Sequence, residues 1–205
     1  MGIHNSDTFR DSKKKWIEDD GESKYRFNFN LNENSIVFDV GGYVGDWSDE
    51  IYRRYECTIH VFEPIQQFLD IINKKLSDNK KILVHSIALS DVTGLYPVSV
   101  IGDQSTLYVN ENKMNIWCMD ILKFMNDHKI KEVDLIKINI EGEEYKLLDR
   151  MISTDIMKRF KNIFLQFHVI DENSLTNRHR IVNEILKTHK EIYSYPFVWE
   201  LYSNE

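Results

Sequence analysis

The sequence feature that most constrains the fold is a short apolar run that ends in a cluster of glycines. Residues 36–40 (IVFDV) form the run, and Gly41, Gly42 and Gly45 follow it directly. An uninterrupted apolar run of this length is typical of a strand that is buried on both faces. Residues 47–56 then carry apolar side chains at helical spacing, so the pattern predicts a strand, a tight turn and a helix.

The alternation of strands and helices continues to the end of the chain. Further runs of strand length lie at residues 58–62, 81–85, 134–140, 162–169 and 192–199. Helical patterns lie at residues 64–76, 121–128, 143–151 and 177–189. Strands that alternate with helices indicate an α/β fold with a mainly parallel, twisted sheet flanked by helices. In such a sheet the ligand site lies beyond the carboxyl ends of the strands, where the strand order reverses.

The N-terminus and the middle of the chain are less regular. Residues 1–34 are polar and are predicted to be an arm, or a cap over a pocket, ahead of a main domain of residues 35–205. Residues 95–100 alternate like an antiparallel strand, residues 102–106 are predicted to be a loop, and residues 116–118 a further short strand. The loop contains a glycine and is a candidate substrate flap or a plain hairpin connection.

Composition and charge exclude several classes of function. A length of 205 residues indicates one domain as a soft prior. With a formal net charge of −7 and a pI near 5.5, the chain lacks the basic excess of a broad nucleic-acid-binding face. No apolar run approaches the ~20 residues of a membrane span. Residues 1–16 contain no apolar signal-peptide core, so we expect a cytoplasmic protein. The sequence leaves open whether the protein is a monomer or a homo-oligomer.

An acidic residue at the end of the second strand points to a nucleoside. Glu63 follows Gly45 by 18 residues, and a carboxylate at this place can accept both hydroxyls of a ribose. Together with the glycine turn it predicts a cofactor that contains a nucleoside. The structural alternatives are that Asp39 is a buried cap and that Glu63 only caps a helix that starts at Pro64.

The turn itself discriminates between cofactors. A dinucleotide site requires G-x-G-x-x-G, and when Gly42 and Gly45 are aligned with its last two glycines, Val40 occupies the place of the first. The turn carries Asp39 and Asp46 and no Lys or Arg, which is a poor environment for a pyrophosphate. S-adenosylmethionine has no phosphate but carries an ammonium and a sulfonium, so it is favoured over the alternative, the nicotinamide cofactor of an oxidoreductase.

Several segments carry a family resemblance. They are FDVGGYVGDWS (38–48), HVFEP (60–64), ALSDVTG (88–94), DLIKINIEGEEYKLL (134–148), IFLQFH (163–168) and YPFVWE (195–200). Together they resemble the FkbM family of S-adenosylmethionine-dependent methyltransferases over residues 31–202. The resemblance implies a class I (Rossmann-like) methyltransferase sheet with an antiparallel final strand. It also implies methyl transfer to a sugar hydroxyl, in a nucleotide-linked or other precursor of a surface polysaccharide or glycan.

The resemblance also implies site residues. Those around the methionine part of the cofactor are Asp39, Gly41, Gly42 and Gly45. Glu63 is implied to hold the ribose, with Ser86 and Ala88 near the adenine. We expect Gly42 to approach the cofactor so closely that a Cβ atom would collide with it. The candidate substrate contacts are Tyr43, an aromatic ring that could pack on a sugar face, and Ser105 and Thr106 in the predicted flap.

The acceptor hydroxyl must lose a proton, and the sequence leaves the base open. Many family members carry Asp where this chain has Asn139, and an amide does not accept a proton at neutral pH. The candidate bases are therefore His168, at the predicted end of a strand, and Glu141, at the carboxyl edge of the sheet, unless positioning alone carries the reaction. Glu143 and Glu144 are further candidates at the start of the next helix, where the helix dipole also favours them as plain structural anions. Asn139 is predicted to bind cofactor or substrate. Because Asn139 cannot act as a base, a catalytically silent S-adenosylmethionine-binding module is an alternative function.

Two further points concern charged side chains. Lys137 lies inside a predicted strand, so it must pair with a carboxylate such as Asp39 or Asp134 or reach the edge of the sheet. Oxygen ligands for Mg²⁺ could come from Glu141, Glu143, Glu144 and Asp120, but the sequence spacing gives no closed ligand set. No metal site is therefore predicted.

Overall fold

The computed structural model describes residues 5–101, 104–106 and 113–205. The helices are α1 (Asn5–Glu18), α2 (Gly21–Lys24), α3 (Asp46–Tyr55), α4 (Gln66–Leu76), α5 (Ile121–Asp127), α6 (Glu144–Ser153) and α7 (Ser174–Ile185). The strands are β1 (Ile36–Val40), β2 (Thr58–Phe62), β3 (Ile82–His85), β4 (Ala88–Ser90), β5 (Gly94–Ile101), β6 (Gln104–Thr106), β7 (Lys113–Asp120), β8 (Val133–Ile138), β9 (Phe160–Leu165), β10 (Lys190–Tyr195) and β11 (Trp199–Ser203).

Seven of these strands form the main sheet, in the order β10-β11-β9-β8-β1-β2-β3. The five strands from β9 to β3 are parallel, whereas β11 runs antiparallel to both β9 and β10. The chain leaves β1 toward β2 and β3 and later returns to β8 on the other side of β1. The carboxyl ends of β1 and β8 therefore mark the switch point at which open α/β sheets bind ligands. The predicted α/β class with an antiparallel final strand is confirmed.

The central strands are buried on both faces. In β1, Val37 packs into a cluster with Ile59 and Leu135, whereas Phe38 packs into the other cluster with Ile136. Successive side chains of a strand point to opposite faces, so both faces of β1 must be covered. This is why the run shows no apolar–polar alternation.

The prediction of a single closing strand over residues 192–199 is wrong. The segment is a hairpin between β10 and β11, and its turn contains Pro196 and Phe197. Phe197 adopts a left-handed φ of 65°, and the Val198 N–H donates to the carbonyl of Tyr195 at 2.8 Å. The turn was missed because an aromatic residue occupies the left-handed position where glycine or asparagine is the usual signal.

A second, four-stranded sheet of order β4-β7-β5-β6 lies beside the main one. The prediction of a loop over residues 102–106 is wrong for Gln104–Thr106, which forms β6 and pairs antiparallel with β5. Gly102 and Asp103 lie outside the described residues. The short strand predicted at 116–118 extends over Lys113–Asp120. Its polar end residues give no strand signal, but pairing with β5 supplies hydrogen bonds that extend the strand.

The N-terminal helices pack against the hairpin edge of the main sheet. Trp16 is buried, and its ring meets the edge of Tyr195 at a centroid distance of 5.2 Å. Tyr25 lies 4.6 Å from Tyr193 between ring centroids. The chain then passes Phe29, whose ring lies 5.3 Å from that of Phe164. None of the helices in the described part of the chain combines the length and apolar character that crossing a bilayer requires.

Candidate functional site

A cavity of about 530 Å³ opens at the carboxyl edge of the sheet, beside the ends of β1 and β8. This volume lies within the range of small-molecule sites. Of the predicted site residues, those that line it are Gly41, Gly42, Tyr43, Glu63, Ala88, Asn139 and Glu141. The switch point thus brings together residues that lie up to a hundred positions apart in the chain. Asp39, Gly45, Ser86 and His168 are not among its lining residues.

The glycine turn is shaped by close backbone approach. Gly41 has a φ of 87°, and a Cβ atom there would lie 2.1 Å from the carbonyl oxygen of Asn139. A Cβ atom on Gly42 would lie 2.3 Å from Cγ1 of Val61, which belongs to the core. Packing of the turn on β2 therefore already requires glycine at position 42. A larger residue there would disturb the turn itself, so that substitution cannot isolate contact with a ligand.

Asp39 lies behind the turn in a buried ion pair. Its Oδ1 accepts from Nζ of Lys137 at 2.8 Å, and its Oδ2 accepts from the hydroxyl of Ser48 at 2.6 Å. Lys137 also donates to the carbonyl of Gly41 at 2.7 Å. The predicted pairing of Lys137 with Asp39 is confirmed. Through this pair Asp39 fixes the position of Gly41, and Lys137 is the member that lines the cavity.

Glu63 is buried where the cavity meets the end of β2. Its two oxygens accept from the N–H groups of Tyr43 and Ile65, both at 2.9 Å. The second bond makes a short turn ahead of α4, which is why the helix begins at Gln66 and not at Pro64. Burial raises the pKa of Glu63 to about 7, and the two backbone hydrogen bonds and the charge of Lys137 only partly oppose it. A carboxylate offers about four acceptor sites, so Glu63 keeps capacity for a ligand's hydroxyls.

The segment after β8 presents polar groups to the cavity. Oδ1 of Asn139 is buried and has no hydrogen-bond partner within the described chain. A buried acceptor left unpaired costs about 1–3 kcal/mol, so it marks a place where a ligand donor is favoured. Glu141 adopts a left-handed φ of 53°, and Gly142 follows with a φ of 107°. This strained turn directs the chain back along the cavity, where Glu141 lines the wall.

His168 is held between two carboxylates. Its Nδ1 lies 3.2 Å from Oε1 of Glu144, and its Nε2 lies 3.5 Å from Oε1 of Glu141. Burial by itself would lower the pKa of His168, but the hydrogen bond and charge of Glu144 and the charge of Glu141 outweigh it, so the pKa is raised. Glu141 lines the cavity whereas His168 does not, so the geometry favours Glu141 over His168 as the base.

The remaining predicted residues are placed as follows. Ala88 lines the cavity from β4, whereas Ser86 is exposed and lies outside it. Tyr43 is half exposed, and its ring packs against Phe68 at a centroid distance of 4.6 Å. Ser105 and Thr106 belong to β6, and their side chains lie outside what the structure describes.

Other cavity residues gave no local signal in the sequence. An apolar wall from α4 and the second sheet contains Phe68, Ile116 and Cys118, which share a buried cluster. Arg26 reaches the cavity from the N-terminal segment. Their contribution depends on packing between elements distant in sequence, and a single apolar or basic residue is uninformative without it. Within the described ranges, no three His, Cys, Asp or Glu side chains are arranged to hold a metal ion.

Comparison with known proteins gives one family match. The model of the methyltransferase FkbM domain matches residues 39–195. No curated protein sequence matches the chain.

Solved structures share the fold at low sequence identity. The fibrillarin pre-rRNA processing protein of Methanococcus jannaschii superposes with a TM-score of 0.53 at 10% identity, over 86% of this chain and 69% of that one. The structure of a fibrillarin/Nop5p complex gives a TM-score of 0.51 at 11% identity, over 85% and 74%. The METTL16 methyltransferase domain gives 0.50 at 12% identity, over 93% and 66%. The predicted class I methyltransferase fold is confirmed.

Proposed function

Since the chain belongs to the methyltransferase FkbM domain family, and is thus an S-adenosylmethionine-dependent methyltransferase, we propose that it methylates a sugar hydroxyl. The acceptor we propose is a precursor of a surface polysaccharide or glycan, in nucleotide-linked or other form. The observation that supports transfer to a hydroxyl is that a carboxylate, Glu141, lines the same cavity as the glycine turn and Glu63. The sugar acceptor rests on the family resemblance.

The residues of the cavity fit S-adenosylmethionine. This cofactor, when bound, supplies an electrophilic methyl group on a sulfonium. We propose that the unused acceptor sites of Glu63 take the ribose hydroxyls and that the apolar wall with Ala88 takes the adenine. Gly41 and Gly42 would border the methionine part, where the unpaired Oδ1 of Asn139 offers an acceptor to the ammonium.

The remaining task of the protein is to position and deprotonate the acceptor. Alignment of the reacting atoms can supply roughly 7–11 kcal/mol of the barrier. We propose that Glu141 accepts the hydroxyl proton, and that His168, in contact with Glu141 and Glu144, is a positioning residue. Tyr43 offers an exposed aromatic face at the cavity, the kind of surface on which sugar rings pack.

The test is product identification with methyl-¹³C S-adenosylmethionine and a panel of nucleotide sugars, free glycans and RNA. We expect a labelled methyl ether on a sugar, identified by two-dimensional NMR, with formation of S-adenosylhomocysteine. A net charge of −7 leads us to expect no labelling of RNA. A labelled nitrogen, carbon or RNA product would overturn the sugar acceptor. Cofactor binding without turnover of any acceptor would favour the alternative function, a catalytically silent S-adenosylmethionine-binding module.

The raised pKa of Glu63 predicts pH-dependent cofactor binding. Ribose hydroxyls donate to a carboxylate better than to a carboxylic acid, so binding favours ionised Glu63, whose pKa in the free protein is about 7. We expect the association constant to rise by about tenfold per pH unit below 7 and to level off above it. Calorimetry in two buffers of different ionisation enthalpy should show proton release on binding near pH 6.5. The same experiment on Glu63→Gln should show no proton release. An association constant that does not change with pH in the unchanged protein would contradict the assignment.

A further inference from the structure

An arginine from outside the matched family domain reaches the cavity. Arg26 lies between α2 and β1, before the family match begins at residue 39. Its side chain lines the cavity, and its carbonyl accepts from Nε1 of Trp47 at 3.2 Å. This hydrogen bond ties the N-terminal segment to the start of α3. Arg26 is therefore held beside the glycine turn by the fold.

The guanidinium of Arg26 is held on three sides but not saturated. Its Cζ lies 5.3 Å from the ring centroid of Trp199 and 5.8 Å from that of Phe27. One terminal nitrogen, Nη1, donates to Glu22 at 3.2 Å in a partly exposed pair that contributes little stability. Nε is buried and has no hydrogen-bond partner in the described part of the chain. A buried N–H group without an acceptor is costly, so an occupant of the cavity that brings an acceptor is favoured.

The surroundings of Arg26 place it on the glycine-turn side of the cavity. Trp47 bonds to the backbone of Arg26, and the ring of Trp47 lies 5.8 Å from Nζ of Lys137. The charge of Lys137 is already balanced by Asp39. Arg26 therefore brings a further positive charge to the glycine-turn side of the cavity, whereas the apolar wall with Phe68 forms a separate cluster.

We propose that Arg26 binds the carboxylate of the methionine part of S-adenosylmethionine. The guanidinium offers donors in a rigid planar fork that matches a carboxylate, and Nε is one edge of that fork. The carboxyl end of the cofactor is its anionic group, and the methionine part is the part assigned to this side of the cavity. The N-terminal segment thereby completes the cofactor site. The inference deepens the cofactor assignment and does not depend on the identity of the acceptor.

Calorimetry on the full chain with two ligands tests the proposal. The ligands are S-adenosylhomocysteine and its decarboxylated analogue, which differ only in the carboxylate. Arg26→Gln should weaken binding of S-adenosylhomocysteine by roughly 10- to 100-fold, because charge-assisted hydrogen bonds are lost. Affinity for the decarboxylated analogue should change less than twofold. Arg26→Lys keeps the charge but loses the fork, so its loss for S-adenosylhomocysteine should be intermediate.

Arg54→Gln is the matched control. The guanidinium of Arg54 also packs near Phe27, at 5.4 Å, but pairs with Glu50 and does not line the cavity. We expect it to leave both affinities unchanged. Equal losses for both ligands in Arg26→Gln would overturn the proposal by showing that Arg26 only supports the fold, and unchanged binding would overturn it directly. Unchanged binding together with a raised KM for an acidic acceptor would assign the guanidinium to the acceptor. Because the calorimetry uses no acceptor, its outcome is independent of whether the sugar hypothesis fails.

Discussion

Replacing Glu141 by glutamine is expected to lower kcat by ~10²–10⁴-fold while leaving affinity for S-adenosylhomocysteine nearly unchanged. The amide has almost the size of the carboxylate, so the left-handed turn at Glu141 and the shape of the cavity are retained. What is lost is the ability to accept the proton of the acceptor hydroxyl. Steady-state kinetics on the true acceptor and calorimetry with S-adenosylhomocysteine separate these two effects.

Two other variants decide between rival assignments of the base. Glu143→Gln changes a second carboxylate of the same cavity, one whose pKa is raised by burial and which pairs with Lys146 at 3.0 Å. A larger loss of kcat in this variant than in Glu141→Gln would move the role to Glu143. His168→Ala removes the imidazole that contacts Glu141 and should reduce kcat less than Glu141→Gln does. If Glu141→Gln stays within threefold of the unchanged enzyme, Glu141 is not the base.

Replacing Lys137 by methionine is expected to destabilise the folded protein by ~3–5 kcal/mol, or roughly 6–20 °C in Tm. Asp39 is fully buried, and without Lys137 its charge would keep only the hydroxyl of Ser48 as a partner among the bonds described above. Thermal and urea unfolding measure the loss. The variant should also weaken cofactor binding, because Lys137 holds the carbonyl of Gly41 in the glycine turn.

The double variant and a surface pair provide the controls for this prediction. Adding Asp39→Asn to Lys137→Met removes the unpaired charge and should restore part of the lost stability, so the two changes should be non-additive. Lys161→Met breaks an ion pair with Asp134 of the same length, 2.8 Å, but both of its side chains are partly exposed. We expect a loss of at most about 1 kcal/mol there. Equal losses for Lys137 and Lys161 would show that burial of the pair does not matter.

The main sheet could be predicted because its signals are local. The central strands are uninterrupted apolar runs, and the three glycines with Glu63 fix the first strand–helix–strand unit and its ligand side. Features that depend on pairing between distant segments were missed or misjudged. The hairpin at Phe197 has only Pro196 as a local turn signal, and strand β6 has no alternation signal. Their hydrogen bonds come from neighbours in the sheet.

The sequence by itself determined the fold class, because periodicity and turn chemistry act over a few residues, and it indicated the family through the resemblance of several segments. It also predicted the edge of the sheet at which the cavity opens. Only the tertiary structure decided the positions, partners and pKa shifts of individual side chains. The raised pKa of His168 depends on Glu144, 24 positions away, and the buried charge of Asp39 is paired with Lys137, 98 positions away. The position of Arg26 at the cavity depends on its contacts with Trp47 and Trp199. Electrostatic and packing energies depend on distance in space, which a linear pattern does not encode.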